Sequence, residues 1–310
     1  MDTLDNLVNF SVLVAGIRIA TPILLAGLGG LHTMQANILN IGMEGMMLFG
    51  AFSAVMVSYY TGSILAATMA AIVTGILAAA IFGLFGVKYR CDIIVAGIAI
   101  NLFGVSFTTY LLRTIFHVKG SLSDPRIIGF PVVDLPLVSG LPYIGDLFKG
   151  HSVMVYIAFL MVVLVHLFLC RTPKGLHIRS VGEHAEAAAS VGINPDRIRL
   201  QAVLISGFFC GLAGAYLSLA QTRMFVENMV AGRGFIALAA IYFGGGTPVG
   251  TMVAALLFGL AEAVSVRLQT IGFPSQFVLM IPYLLTVLVL IAISYVKKMR
   301  REKRKYTIAC

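Results

Sequence analysis

Long uncharged apolar runs constrain this chain more than any other feature. Residues 72–87 and 153–170 contain no Asp, Glu, Lys or Arg. Stretches of this kind approach the ~20 residues that a membrane helix needs. Only helices and closed barrels satisfy their backbone in lipid. A barrel is excluded by pattern, because its strands alternate apolar and polar residues over short segments. Composition limits the rest: 59% of the 310 residues are hydrophobic and 11% are charged, against roughly 45–50% and roughly 25% in soluble domains. About nine spans of ~20 residues use nearly all of that apolar content and leave no room for a sizeable soluble domain. The expected fold is a single all-α polytopic membrane domain over residues 1–310, with about 8–10 transmembrane helices.

Apolar runs and their polar interruptions predict spans near 8–30, 43–60, 64–86, 93–112, 152–170, 199–220, 234–246, 249–266 and 277–296. The seventh is too short for a full crossing if it starts at Gly234, so it either begins earlier or is a re-entrant half-helix. Of the 22 basic residues, seven fall in residues 297–305, and a basic tail after a last span is a cytoplasmic anchor. Counting back from it places Lys88, Arg90, Arg171, Lys174, Arg179, Arg197 and Arg199 inside and the acidic start of the chain outside. The net charge of +9 is thereby topological and no pointer to nucleic acid. Residues 1–10 carry two acids and no basic side chain, unlike the start of a cleavable signal peptide.

Two loops are long. The outer one, 113–151, holds Pro125, Pro131, Pro136 and Pro142 and reads as a structured connection that either meets a partner or covers the bundle. The inner one, 171–198, contains a short helical pattern over 183–191, bounded by Gly182 and Gly192 and stopped by Pro195.

Charges inside spans cost about 2.5–3.5 kcal/mol each on insertion scales, so Arg18, Glu44 and Glu262 require partners or a wet cavity. Residues 32–45, HTMQANILNIGMEG, gather Gln35, Asn37, Asn40 and Glu44 with two glycines in apolar surroundings. This suits either a broken helix lining a polar path or an ordinary cytoplasmic turn. Asn101 adds an amide to the fourth span, where an interhelical hydrogen bond is the common use. Gly207 and Gly211 form GxxxG with Gly214 following, and Gly246 and Gly250 flank Pro248 at a tight turn. Residues 48–55 and 257–264 share five of eight positions, from either an internal repeat or coincidence. The four cysteines are scattered without metal-binding or redox spacing. No phosphate loop, HExxH or GxSxG occurs, so no cofactor, metal or catalytic residue is expected, and any ATP-driven step belongs to another polypeptide. Titration of Glu44 and Glu262 leaves an ion-coupled carrier open.

The segment 186–192, EAAASVG, within VGEHAEAAASVGIN, resembles the EAAxxxG pattern of ABC importer permeases. Together with NIGMEGMMLFGA at 40–51 and GRGFIALAAIYFG at 232–244, it makes the whole chain similar to the branched-chain amino acid and ribose type permease family. The 40–51 stretch resembles the nucleoside-import branch more than the sugar or amino-acid branches. The resemblance implies a bacterial plasma-membrane subunit working by alternating access. It also implies an ATPase docking on a coupling helix with Glu183, Glu186, Ala187, Ala188 and Gly192, and a path lined by Gln35, Asn37, Asn40, Glu44 and Asn101. The implied partners are an ABC ATPase subunit, a second, non-identical permease and a substrate-binding lipoprotein.

Overall fold

The structure is a computed structural model that describes residues 10–133 and 150–270. The expected span at 277–296, the basic tail 297–310 and residues 134–149 of the outer loop lie outside the described residues.

The described chain is mainly helical, its helices running in this order: α1 (Phe10–Gln35), α2 (Met43–Thr61), α3 (Ile64–Gly83, prolonged by a π turn Leu84–Lys88), α4 (Ile93–Ile115), α5 (Val153–Arg171), α6 (Pro173–Glu183), α7 (Ala185–Ser190), α8 (Pro195–Ala215, prolonged by a π segment Tyr216–Thr222), α9 (Arg233–Phe243) and α10 (Pro248–Thr270). Six of these, α1, α3, α4, α5, α8 and α10, are long and apolar enough to cross a membrane. The polytopic helical class is therefore borne out. One short antiparallel pair, β1 (Ser121–Leu122) with β2 (Phe225–Val226), ties the outer loop to the segment after α8.

Local chemistry sets the helix ends. Asp92 caps α4, its Oδ1 accepting from the backbone N–H of Ile94 and Val95. Asn194 accepts from Arg197 N–H while Pro195 takes the first position of α8, where a missing N–H costs nothing. Pro195 thus starts the next helix as well as stopping the previous one. The expected helix over 183–191 is divided: Glu183 closes α6, and His184, extended at φ −152° and ψ 90°, separates it from α7.

Burial distinguishes a centre from a rim. In the most apolar stretch of α1 72% of residues are buried, and 83% in α8, against 28% in α3 and α4. Helix α2 is also enclosed, with Met46, Met47, Leu48, Ala51 and Ala54 fully buried. The rim helices turn Leu77, Ile81, Val95, Leu102 and Leu164 outward, as lipid-facing surfaces do.

Glycine sets how closely the centre packs. A β-carbon added at Gly75 of α3 would stand 2.9 Å from Gly211 Cα, and one at Gly50 of α2 would stand 2.8 Å from the same atom. The GxxxG of α8 therefore meets glycines on two neighbouring helices, where association in lipid depends on close backbone contact. Gly50 and Gly259, equivalent positions of the two similar octapeptides, both mark such approaches, the second against Ala20 of α1.

Proline and tyrosine solve a backbone problem in α1. Pro22 lies within the helix and has no N–H to offer the carbonyl of Arg18. The Tyr216 hydroxyl, at the start of the π segment of α8, donates to that carbonyl at 3.0 Å. An acceptor freed at membrane depth is thereby satisfied by a neighbouring helix.

A side chain at Gly211 would press on the Ala71 carbonyl carbon at 2.9 Å and on Ile72 Cα at 3.0 Å, both backbone atoms. Overpacking of this sort costs about 1–3 kcal/mol or more. Gly211→Leu is expected to lower the thermal unfolding midpoint in detergent sharply. Gly86→Ala, whose added carbon finds its nearest neighbour at an ordinary 3.6 Å, should leave it unchanged.

Candidate functional site: the broken segment and the cytoplasmic helices

Between α1 and α2 the chain stops being helical for residues 36–42. It turns at Asn37, which adopts the left-handed region at φ 58°. The segment's polar groups are then accounted for one by one. Asn40 accepts from Gly42 N–H at 3.1 Å and donates to the Ser206 hydroxyl of α8 at 3.0 Å. Asn101 of α4 accepts from Gly45 N–H at 2.8 Å and donates to the Ile41 carbonyl at 3.0 Å. Gln35 donates to the Gly246 carbonyl at 2.6 Å, in the turn between α9 and α10. Asn101 lies about 12 Å into α4 at ~1.5 Å per residue. The irregular backbone it holds is therefore at membrane depth, and it survives there because it is enclosed by protein.

Glu44 is the centre of this arrangement. One carboxylate oxygen accepts from Gly232 N–H and the other from Gly234 N–H, both at 2.7 Å. Those amides belong to the first turn of α9, whose N–H groups have no partner within their own helix. The carboxylate of α2 thus caps α9 from outside and neutralises the positive end of its dipole. Gly234 is required at the contact, since a β-carbon there would stand 2.6 Å from Glu44 N. This explains the short seventh crossing: α9 starts at Arg233 because the cap lies at membrane depth, and residues 223–232 bring the chain to it from β2 without helix.

The two remaining intramembrane charges find different partners. Arg233 donates to Glu262 of α10 at 2.6 Å, a half-buried ion pair between adjacent helices. Arg18 meets neither acid and donates instead to the Gly150 carbonyl just before α5. Sequence reasoning missed Arg233, although it lies in the quoted 232–244 motif, because nothing in the spacing joins it to Glu262. The same holds for Ser206 as the partner of Asn40.

Beyond α5, α6 packs against the end of α1, where Gly182 lies against Gln35, and α7 follows. Ala188 is the buried residue of α7, while Glu186, Ala187, Ala189 and Ser190 face outward and Val191 is 74% exposed. Gly192, at φ 87°, turns the chain back through the left-handed region that glycine tolerates. Glu183 is exposed beside this face although it belongs to α6. Asn37 and Glu186 share a cavity of about 550 Å³ with Arg90, Asp196 and Arg199. Of the path residues named from sequence, Asn37 therefore opens toward α7, whereas Gln35, Asn40, Glu44 and Asn101 are engaged within the protein.

At the opposite end of the bundle the loop after α4 is latched to it. Arg113 grips Glu227 through Nε and Nη2, each at 3.1 Å, and Gly120 N–H joins the same carboxylate. Arg126 pairs with Asp124, lies over the Tyr59 ring at 4.0 Å and hydrogen-bonds the Tyr59 hydroxyl. The Ser58 hydroxyl both donates to and accepts from the Ile128 backbone. The Arg113 guanidinium, and secondarily the Gly120 N–H, hold the Glu227 carboxyl below the usual carboxylate range.

Two outcomes follow from this geometry. Glu44→Ala leaves two buried N–H groups without acceptors, at about 1–3 kcal/mol each. It should markedly destabilise the protein to thermal unfolding, and Glu44→Gln, which turns an amide donor toward one N–H, should rescue only part. Asn37→Gly, which removes no such bond and keeps the left-handed turn, should unfold like the native chain. At the outer latch the carboxyl of Glu227 has a lowered folded-state value. Its contribution is complete above the unfolded value of about 4.3 and is lost as pH falls through the folded one. Hydrogen exchange at Gly120 N–H, corrected for intrinsic rate, should stay flat from about pH 8 to about pH 6 and rise below about pH 4. A rise already in the neutral range contradicts the latch.

Comparison with known proteins agrees with this architecture. The guanosine ABC transporter permease protein NupQ of Bacillus subtilis is 34% identical over 93% of this chain and 93% of its own length. The nucleoside ABC transporter permease protein NupC of Lactococcus lactis is 35% identical over 92% and 93%. TsgC13 of Haloferax volcanii, named as a candidate glucose ABC transporter permease, is 36% identical over 84% and 78%. A solved chain described as a metal-chelate type ABC transporter in an inward-facing conformation shares the fold, with a TM-score of 0.54 at 13% identity over 91% of this chain and 85% of that one. The family described as branched-chain amino acid transport system, permease component, matches residues 12–290, and with nearly the whole membrane domain inside that match, this multi-pass chain belongs to that permease family.

Proposed function

We propose that this chain is the membrane-spanning subunit of an ATP-driven importer in a bacterial plasma membrane, and that its solute is a nucleoside. The observation that carries the reading is the outward face of α7, where small side chains and Glu186 stand free above one buried anchor, Ala188. Small residues admit close approach of a partner's cleft, so an ATPase docked there would grip Glu183, Glu186, Ala187 and Gly192, while Ala188, buried beneath them, holds the helix to the rest of the chain. The names of NupQ and NupC support a nucleoside over other solutes. The name of TsgC13 favours a hexose as the second reading. Energy comes from the ATPase subunit, and the chain itself carries no reaction.

In this reading a substrate-binding lipoprotein delivers the solute at the outer face, and a second, non-identical permease completes the path. Closure of the ATPase pair pushes α7. Because α6 abuts the end of α1, the push reaches Gln35 and the broken segment, and from there α2 and α9 through Glu44. Among the path residues, Asn37 touches the solute, while Gln35, Asn40, Glu44 and Asn101 shape the wall behind it. Amides suit a neutral, hydrogen-bonding solute because they orient it without burying an unpaired charge.

Glu186→Trp and Gly192→Leu should insert normally and lose uptake more than about tenfold, as disruption at the centre of an interface does. Unimpaired uptake would overturn the ATPase assignment. Radiolabelled guanosine, glucose and leucine offered in parallel should show uptake of guanosine, and uptake of glucose alone would select the second reading.

A further inference from the structure

A groove of about 720 Å³ runs between α3 and α8, at the ends that the positive-inside reading places in the cytoplasm, and lies within the roughly 300–1,000 Å³ typical of small-molecule sites. Leu77, Ile81 and Leu84 form one wall, Leu200 and Leu204 the other, and Lys88 and Arg197 stand at its cytoplasmic mouth. From Leu77 to Lys88 the wall rises roughly 16 Å at about 1.5 Å per residue. That is close to half of a hydrocarbon core about 30 Å thick, or one leaflet. The order along the groove is thus apolar at chain depth and cationic at headgroup depth.

The charge at the mouth extends sideways. Val87 and Asp196 are shared with the cavity that holds Arg90 and Arg199. The Arg199 Nε is shielded from solvent and has no hydrogen-bond partner. The acids nearby are Asp196, already 3.8 Å from Arg90, and Glu186 on the far side of that cavity. Four cations therefore face two acids. A second membrane-facing groove, about 420 Å³ and lined by Met161, Leu164, Phe168 and Phe208 among others, has no Lys or Arg in its wall.

We propose that the groove between α3 and α8 binds an anionic phospholipid of the cytoplasmic leaflet, its acyl chain against the leucines and its phosphate at Lys88 and Arg197. Basic pockets between helices on the cytoplasmic side suit such headgroups. A soluble partner could not follow a wall that is apolar over a whole leaflet depth, and a membrane-spanning partner would have to bring its own acid to Lys88 and Arg197, which an anionic headgroup supplies. The groove also touches Asn194 and Asp196 at the start of α8, so the lipid would brace the junction that follows α7, the helix on which the proposed ATPase docks.

The test uses the full chain assembled with its partner subunits in bilayers of phosphatidylcholine containing a minor fraction of phosphatidylglycerol, with retained lipids counted by native mass spectrometry. The native protein should retain phosphatidylglycerol in preference to phosphatidylcholine. Lys88→Gln with Arg197→Gln should lower that preference about fivefold or more. Leu200→Trp, which fills the groove and leaves both cations, should lower phosphatidylglycerol retention as well. Leu164→Trp in the second groove should not. Three results overturn the proposal: no preference in the native protein, full retention in Leu200→Trp, or an equal loss in Leu164→Trp. Cross-linking from Ile81→Cys to another subunit instead of to a photoreactive phosphatidylglycerol would also overturn it and give the groove to a protein.

Discussion

A single carboxylate in the membrane, accepting two backbone N–H groups, organises this molecule. Glu44 starts α2 and caps α9, and each of its two bonds satisfies a donor that lipid would leave exposed. Without such an acceptor α9 could not begin at membrane depth, and the irregular segment before α2 would have nothing to close against. Asn101 extends the brace to α4 and Asn40 extends it to α8. Four helices are thus tied to one stretch of chain by side chains whose polar groups are used up in the process.

That bonding changes how the intramembrane polar residues should be understood. A row of amides in an apolar chain suggests a passage for solute, yet in this conformation most of the row holds backbone in place. The two roles are compatible, since a wall that must present one or two polar groups to a solute has to keep the rest from collapsing onto them. Asn37 differs from its neighbours in this respect, facing the cavity beside α7.

Much of the fold was legible because lipid makes it so: the length of an apolar run sets a helix. The short α9 was visible as a run too brief to cross, and the GxxxG of α8 as a place of close packing. What spacing could not show is which distant groups meet. Arg18 stood as a possible mate for either acid, and its partner is a backbone carbonyl, a kind that leaves no mark in sequence. The break at His184 escaped for a related reason: AEAAAS is a good helix former, and the separation from α6 rests on one extended residue with no Gly or Pro to signal it. Asn101 and the polar residues of the broken segment stood out by their polarity, whereas their bonds to Ser206, Ile41 and Gly246 depend on tertiary approach.

The bond from Tyr216 to the Arg18 carbonyl constrains how the molecule changes shape. Pulling α1 from α8 in the outer half of the membrane would strand a carbonyl that Pro22 has already deprived of its helical donor, in a medium with no water to replace it. Separation along that seam is correspondingly disfavoured, and the close approach of Gly29 of α1 to Ser206 and Phe209 of α8 resists it further along the pair. The central pair therefore behaves as a stiff strut, and whatever gap opens during a transport cycle has to form along its flanks.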